Sequence, residues 1–421
     1  MPAMPTAAAA TQPQILDNIR VLDLTRFLSG PQATLFLAAM GAEVIRIDEP
    51  QAGDPAAAAP PFAGPEGVSL ARRTPQDIGI AYLKRARAKK AITLNLKSEE
   101  GRALFFRLVE QADVLVENFR TGVTARLGID YAALQARNPR LIYCSITGYG
   151  SSGPDSHLKA YDLMVQAATG LMSVTGDADG QPCKTGSPLS DGIAGTFALS
   201  GILGALLQRG RTGKGQFIDV SMADCLISLM FDEPLDCYAQ LGLPHRQGNR
   251  IMRFSPFNSY AVRDGMVAIG AATQKDWIAL LEVMGRSDLL ANDQYMSTSW
   301  RIANNAAIDA VVAQWAAGFS RADVLALLEA KEIPCSAVRT VDDVTAWPHL
   351  RERGMLQTLK HPDMPLPGGP LAPEFPLKFS GAQTGYSAPA AAHGQHNKEI
   401  YRDVIGLSDD ELAQLASRGT I

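Results

Sequence analysis

The stretch SPLSDGIAG, Ser187 to Gly195, places one acidic side chain, Asp191, ahead of an apolar, small-residue run that continues to Gly210. Apolar residues recur at Ile193, Phe197, Leu199, Ile202, Leu203, Leu206 and Leu207, with Gly and Ala between them. That pattern predicts a helix buried nearly all round. An Asp at its start either caps the helix by accepting backbone N–H bonds, or is a reactive carboxylate held ionised by the helix dipole. Local sequence leaves both readings open. Gly192 and Gly195 carry no side chain to obstruct a bulky reactant, and backbone N–H groups nearby could stabilise an oxyanion.

Other candidates are weaker. Asp162 in LKAYD precedes LMVQAATG and reads as a cap for that segment. LKRARAKK, Lys84 to Lys90 with two neutral residues, is a basic run, and such runs commonly form a solvated face. Arg246, Arg250 and Arg253 lie close to Phe254, Phe257 and Tyr260. Arginine binds carboxylates bidentately, so these could hold an organic acid; they could equally be ordinary surface arginines.

These residues must be positioned by a scaffold, and the first half of the chain alternates strand and helix. IRVLDLT, AEVIRID, KAITLNL, DVLVENF and RLIYCSI read as strands. GPQATLFLAAMG reads as a helix, as does SEEGRALFFRLVEQA with Ser98 as N-cap. GQFIDVSMAD reads as strand, then helix. Apolar strands alternating with helices predict an α/β fold with a parallel sheet covered on both faces. The Pro/Ala/Gly-rich stretch 53–81 reads as a long loop. From about 229 to 349 the pattern changes to short strands and helices, with a hairpin turn at Asp264-Gly265 and a capping box at Ser320 to Asp323. A Pro-rich link then leads to two closing helices, the last opening with a capping box at Ser408 to Glu411.

The chain has 421 residues, which favours two domains. Hydrophobic residues make up 46% and charged residues 19%, the balance of a soluble globular protein. A net charge of −4 gives no basis for nucleic-acid binding. The 5 cysteines are scattered and odd in number, against a disulfide framework or a metal site. No uninterrupted apolar stretch suggests a membrane span. The opening MPAMPTAAAATQP lacks the basic start and leucine-rich core of a signal peptide, so it reads as a mobile tail on a cytoplasmic protein. The first strand–helix–strand unit invites a dinucleotide reading, with Asp48 and Glu49 where a ribose-binding acid would stand. Its turn, TRFLSGPQA, lacks the GxGxxG glycines that let backbone approach a pyrophosphate, and this argues against NAD or FAD.

Eight segments in order carry a wider resemblance: RVLDLTRFLSGPQAT, GAEVIRIDEP, KKAITLNLKSEEG, DVLVENFRTG, LIYCSITGYG, LKAYDLMVQAATG, SPLSDGIAG and RTGKGQFIDVSM. Together they resemble the family III CoA-transferases. The resemblance implies a Rossmann-like large domain whose parallel sheet is built from both chain ends, 1–228 and 350–421. It also implies a smaller α+β domain, 229–349, inserted between them, and an interlocked homodimer. It makes Asp191 the catalytic residue, with Asp162 close to it. CoA thioesters enter as substrates and no cofactor is required. The resemblance assigns Phe27, Leu28, Lys89, Lys90, Lys97, Asn118, Phe119, Arg126 and Lys159 to the CoA site. The implied reaction passes CoA from an acyl-CoA to a carboxylic acid through an anhydride and a thioester on Asp191. Leu28 replaces the glutamine of the formyl-CoA enzyme, and GNRIMRFSPFNSY has no poly-glycine loop, so formate and oxalate are poor candidates. The alternative is an α-methylacyl-CoA racemase on the same fold. Its histidine would stand at Tyr161, and a phenol is a poor general base at neutral pH.

Overall fold

A computed structural model describes residues 13–421. The expected N-terminal tail therefore lies, but for its last residue, outside the described residues. Internal contacts divide the chain into two compact units. The first runs to Thr169 and includes Thr185–Glu233 and His349–Ile421; the second comprises Gly170–Lys184 and Pro234–Pro348. The segment 170–184, which the sequence reading leaves in the large domain, thus belongs to the smaller unit.

The first unit is built on a six-stranded sheet of β1 (Arg20–Asp23), β2 (Glu43–Asp48), β3 (Lys90–Thr93), β4 (Val114–Glu117), β5 (Ile142–Thr147) and β6 (Phe217–Ser221). All neighbouring pairs are parallel, in the order 3-2-1-4-5-6. This is the order of doubly wound nucleotide-binding folds, whose ligand crevice lies where the order reverses, outside the carboxyl ends of the strands. Here that point falls between β1 and β4. The central strands are mostly apolar because both faces are covered: β4 is fully buried, and β1 and β2 are buried beyond their first residues.

Five helices matter for the site: α1 (Ser29–Ala39), α2 (Glu99–Glu110), α3 (Asp162–Ala168), α4 (Leu189–Thr212) and α5 (Met222–Met230). The Ser98 side chain caps α2 by accepting the Gly101 N–H. The face of α2 formed by Leu104, Phe105 and Leu108 packs over the sheet, together with Ile400, Tyr401 and Leu412 from the end of the chain.

The expectation that both chain ends contribute strands is corrected: all six strands precede residue 222. The C-terminal segment instead lies along the free edge of β3. Asn397 Oδ1 accepts the Thr93 N–H at 2.8 Å, His396 Nδ1 accepts the Ala91 N–H at 3.1 Å, and the Tyr401 hydroxyl donates to the Thr93 carbonyl at 2.6 Å. Side chains thus satisfy the edge groups that another strand would have paired.

The stretch 53–81 is likewise not an irregular loop. It forms a three-stranded antiparallel sheet from Phe62–Gly64, Gly67–Ser69 and Ile78–Gly79. Asp77 ties its turn by accepting the Arg73 N–H at 2.7 Å and the Thr74 hydroxyl at 2.7 Å. The Pro-rich link contributes a strand, Leu371–Pro373, paired with Leu356–Thr358.

The second unit holds an antiparallel sheet of Phe257–Val262, Gly265–Gly270 and Cys335–Ala337. Trp277, Leu280, Ile308, Val312 and Leu328 form its core. Val262 pairs with Gly265, so the hairpin loop is Arg263-Asp264, one residue earlier than expected. Asp264 is drawn to the Arg321 N–H at 2.6 Å.

Helix α4 corrects another expectation, since it is buried on one side only. Ala194, Gly195, Ala198, Ile202 and Ala205 are inside, whereas Phe197 is 41% and Leu207 70% exposed. The small residues allow close approach: a Cβ on Gly195 would lie 2.8 Å from the Ser29 carbonyl oxygen of α1. The glycine therefore serves helix packing and does not clear space for a reactant. By length and composition α4 could cross a membrane, but its small-residue face packs within the α/β unit.

Candidate active site

Asp191 is not the N-cap of α4. The cap position is Pro188, which offers no side-chain acceptor, and Asp191 is the third helical residue. The cap comes from elsewhere. Asp162 accepts the Ser190 N–H at 2.9 Å and the Ser190 hydroxyl at 2.6 Å, and also takes the Gln166 amide at 2.7 Å. Gln166 in turn accepts the Thr185 N–H at 3.0 Å, which fixes the approach to α4. Asp162 thus does not cap its own helix, where it is the first residue; it caps the helix that carries Asp191.

Across from this turn stands the start of α1. Ser29, its first residue, faces the Asp191 carboxylate, and its hydroxyl and backbone N–H favour the charged form. One carboxylate therefore sits in the first turn of α4 while facing the N-terminus of α1, a geometry that favours negative charge. Burial acts against it, and so does the nearby charge of Asp162. These win over Ser29 and Arg85, and the Asp191 carboxyl is pushed up to about 6. Of the neighbouring amides, that of Ser190 is committed to Asp162, and that of Gly192 to the Pro188 carbonyl at 3.1 Å. The Ser29 N–H is the donor directed at the reactive group.

Asp191 borders one opening, and its helix neighbours border another. On one side is a cleft of about 480 Å³, lined among others by Arg26, Phe27, Asn118, Lys159 and Tyr161. Asn118 marks the strand-order reversal: its amide accepts the Arg26 N–H at 2.9 Å and donates to the Arg26 carbonyl at 2.8 Å. Phe27 has φ 65°, left-handed for a residue with a side chain, and its ring meets Tyr161 edge-on at 5.9 Å. Strained backbone of this kind collects at functional sites. Arg26 and Phe119 also line the adjoining cleft of about 340 Å³, where Lys97 and Arg126 stand. On the other side, Gly192 and Ile193 open onto a larger cavity of about 840 Å³ with Leu28, Phe36, Lys84 and Arg85 in its wall.

The predicted site residues therefore divide. Phe27, Asn118, Phe119, Lys159 and Asp191 share one cleft, Lys97 and Arg126 the next, and Leu28 faces the cavity. Lys89 is not among them. Its ammonium is buried and fully engaged, with Asp23 at 2.9 Å, the Pro31 carbonyl at 2.9 Å and the Thr34 hydroxyl at 2.7 Å. No donor is left for a phosphate. Lys90 opens β3, at the end remote from the crevice, and pairs with Glu43 at 2.6 Å and Glu399 at 2.7 Å. The arginines of the second unit are also engaged: Arg246 binds the Ser173 and Asp177 carbonyls, Arg250 pairs with Asp309 at 2.6 Å, and Arg253 lies over the Phe254 ring. Sequence reasoning missed Ser29, Lys84 and Arg85. The last two belonged to the basic run read as a solvated face.

The sequence profile of CoA-transferase family III matches residues 16–397. The chain is 31% identical to the succinate–glutarate CoA-transferase of Agrobacterium fabrum, over 92% of this chain and 95% of that protein. It is 36% identical to the succinyl-CoA:mesaconate CoA-transferase of Haloarcula marismortui, over 85% and 89%. A crystal structure of a CAIB/BAIF family protein from Brucella suis superposes with a TM-score of 0.79 at 32% identity, covering 93% of this chain and all of that one. This chain belongs to CoA-transferase family III and is an acyl-CoA:carboxylate CoA-transferase.

Proposed function

We propose that the enzyme transfers CoA between two organic acids by covalent catalysis on Asp191. The observation that carries this reading is the position of Asp191 in the wall of the crevice at the strand-order reversal, with the start of α1 facing its carboxylate. CoA lies in the two joined clefts, its phosphates near Lys97 and Arg126 and its thioester near Asn118, Lys159 and Asp191. The Asp191 carboxylate attacks the thioester carbonyl; the C–S bond breaks, giving a mixed anhydride and CoA thiolate. The thiolate then attacks the aspartyl carbonyl, expelling the donor acid and leaving an aspartyl-CoA thioester. The acceptor carboxylate attacks that thioester, and a second anhydride forms. Returning thiolate takes the acceptor acyl group and frees Asp191. CoA thioesters are substrates throughout, with no cofactor.

The relatives act, by name, on succinyl, glutarate and mesaconate groups, which supports organic diacids as first acceptors to test. The racemase alternative lacks the second base it needs, since Tyr161 precedes Asp162. We further propose a cytoplasmic homodimer, its smaller domain inserted in the larger and the two copies interlocked. Exposed apolar side chains on α4 and α5, among them Phe197, Leu207, Ile227 and Leu229, support a buried partner face. Five free cysteines accord with a reducing compartment.

The test is trapping. Hydroxylamine added with donor acyl-CoA should inactivate the enzyme and mark the Asp191 carboxyl alone, as read by peptide mass spectrometry. Asp191→Ala should fold and lose turnover by about three orders of magnitude or more; substantial retained activity would sink the covalent mechanism. Rapid α-deuterium uptake by a 2-methylacyl-CoA without acceptor would favour the racemase. Light scattering over a wide dilution range should report a dimer until the protein unfolds, whereas a folded monomer at low concentration would refute the linked assembly.

A further inference from the structure

We propose that Glu117 is a positioning residue for acyl-CoA: its buried carboxyl closes the turn that presents Asn118 and Phe119 to the crevice before the substrate arrives. This rests on the reading of that crevice as the CoA site. Glu117 is neither one of the CoA contacts expected from the sequence nor part of the covalent steps on Asp191.

Glu117 is the last residue of β4, where the strand order reverses. The backbone ladder to β1 stops just before it. The Leu24 N–H donates to the Val116 carbonyl at 2.9 Å, the last backbone bond between these two segments among the described residues. Side chains then take over. The Asn118 carboxamide meets both the N–H and the carbonyl of Arg26, at 2.9 and 2.8 Å, as a paired strand residue would. Glu117 Oε2 accepts the Phe119 N–H at 2.8 Å. A side chain that accepts from the backbone two residues further on closes a tight turn. That turn aims Asn118 across the crevice at Arg26. It also sets the Phe119 ring under the Arg26 guanidinium, 5.8 Å from the ring centre. Arg26 and Phe119 line both of the joined clefts, so one turn shapes the wall of each.

A carboxyl is a burden at this place in the sheet. Glu117 is 3% exposed. In register beside it stand Ser145 of β5 and then Asp219 of β6, so the row contains a second acid and no base. Burial pushes the Glu117 carboxyl up to about 7, and the field of Asp219 adds to that; Ser145 and the Phe119 N–H act the other way. Among the described residues no cation offsets the burial. An apolar side chain would carry no such burden. What the carboxyl supplies is an acceptor for a backbone donor at the rim of the crevice. Groups ordered before binding spare the ligand the cost of ordering them.

The experiment is calorimetric titration of CoA into the full-length wild type, Glu117→Gln and Glu117→Met, with initial rates alongside. Gln keeps an acceptor of the same reach for the Phe119 N–H, and Met fills the space without one. Glu117→Met should weaken CoA binding by about tenfold and raise the KM for acyl-CoA by a similar factor, the loss expected for one hydrogen bond. Its KM for the acceptor acid should stay within about twofold, and Glu117→Gln should stay within about threefold of wild type throughout. Equal losses in the two variants would overturn the assignment, since the acceptor would then not matter. An equal rise in both KM values would overturn it too, because that is the mark of a loosened fold. Normal CoA binding by wild type and Glu117→Met alike overturns the role of Glu117 and leaves the CoA site standing. No CoA binding by wild type overturns both. If Glu117→Met does not fold, hydrogen exchange across residues 117–121 of the wild type decides. Slow exchange at the Phe119 amide before CoA is added supports a turn made in advance, and exchange slowed only by CoA overturns it.

Discussion

The Asp162 carboxylate accepts the Ser190 N–H at 2.9 Å, twenty-eight residues along the chain, and so caps the helix whose next residue is Asp191. One interaction has two effects. It fixes the turn that presents Asp191, and it sets a second negative charge close enough to hold the Asp191 carboxyl above its ordinary range. Asp162→Asn separates them, because Asn caps helices as well as Asp does. That variant should keep the cap and lose only the bond from the Gln166 amide, about 1 kcal/mol, while the acidic limb of kcat/KM moves to lower pH. Asp162→Ala should show the same displacement and also lose about 1–2 kcal/mol of stability with the cap. An unmoved limb in Asp162→Asn would show that the charge of Asp162 does not reach Asp191.

Asp191 itself should trade stability for chemistry. Its folded-state value of about 6 lies above the ordinary 3.8, so the folded protein holds the proton more tightly than the unfolded chain. Stability from this group is present at low pH and is lost as pH rises between those values. Asp191→Asn removes the penalty of the buried charge. It should therefore raise stability by about 1–3 kcal/mol at pH 8 and by little at pH 4, measured by denaturation at both. Wild-type kcat/KM should fall as pH drops through about 6, because only the carboxylate is a nucleophile.

Much of the scaffold is legible in the sequence because parallel strands buried on both faces are written as apolar runs. Val21-Leu22, Val44-Ile45 and Val114 to Val116 need no partner to be recognised. Caps are legible for the same local reason, and Ser98, Ser320 and Ser408 stand where their motifs predict. What sequence cannot show is which partner a polar side chain finds across the fold. Lys89 and Lys97 are the same residue type eight positions apart. One turns inward to Asp23 of β1, and the other lines a cleft. The cap on α4 comes from Asp162, and Arg87 differs from Arg85 because Glu374 and the Pro373 carbonyl, nearly three hundred residues on, reach only Arg87. Helix Asn305–Ala316, rich in Ala and Val, carried no capping motif and was not foreseen.

Close packing of α1 on α4 predicts opposite outcomes for two glycines of one helix. A Cβ at Gly195 would press on the Ser29 carbonyl at 2.8 Å, and Ser29 is the residue that faces Asp191 and favours its charge. Gly195→Ala should cost about 1–3 kcal/mol by overpacking and should lower kcat, since the shift falls on the α1 turn. Gly210 meets nothing within 4 Å. Gly210→Ala should gain up to about 1 kcal/mol from helix propensity, with kinetics unchanged. Thermal denaturation and steady-state kinetics on the two variants check both statements, and equal effects would contradict the packing.

The lysines give the last contrast, because burial separates a structural cation from a binding one. Lys89 meets Asp23 in the core with both side chains almost wholly enclosed. Lys89→Met leaves the Asp23 charge buried without its counterion and should cost about 3 kcal/mol or more, whatever ligand is present. Lys97 pairs with Glu49 at 2.6 Å while most of its side chain is in solvent, and Arg126 is exposed beside it. Surface pairs of that kind add little to stability, so Lys97→Ala and Arg126→Ala should stay within about 0.5 kcal/mol of wild type. Their effect should fall on the substrate, as a rise of about threefold to tenfold in KM for acyl-CoA at low salt that shrinks as added salt raises the wild-type KM. Denaturant unfolding and initial-rate kinetics on the three variants separate the roles. A Lys89→Met protein of normal stability with a raised KM would return that residue to the CoA site, and unchanged KM values in both surface variants would remove Lys97 and Arg126 from it.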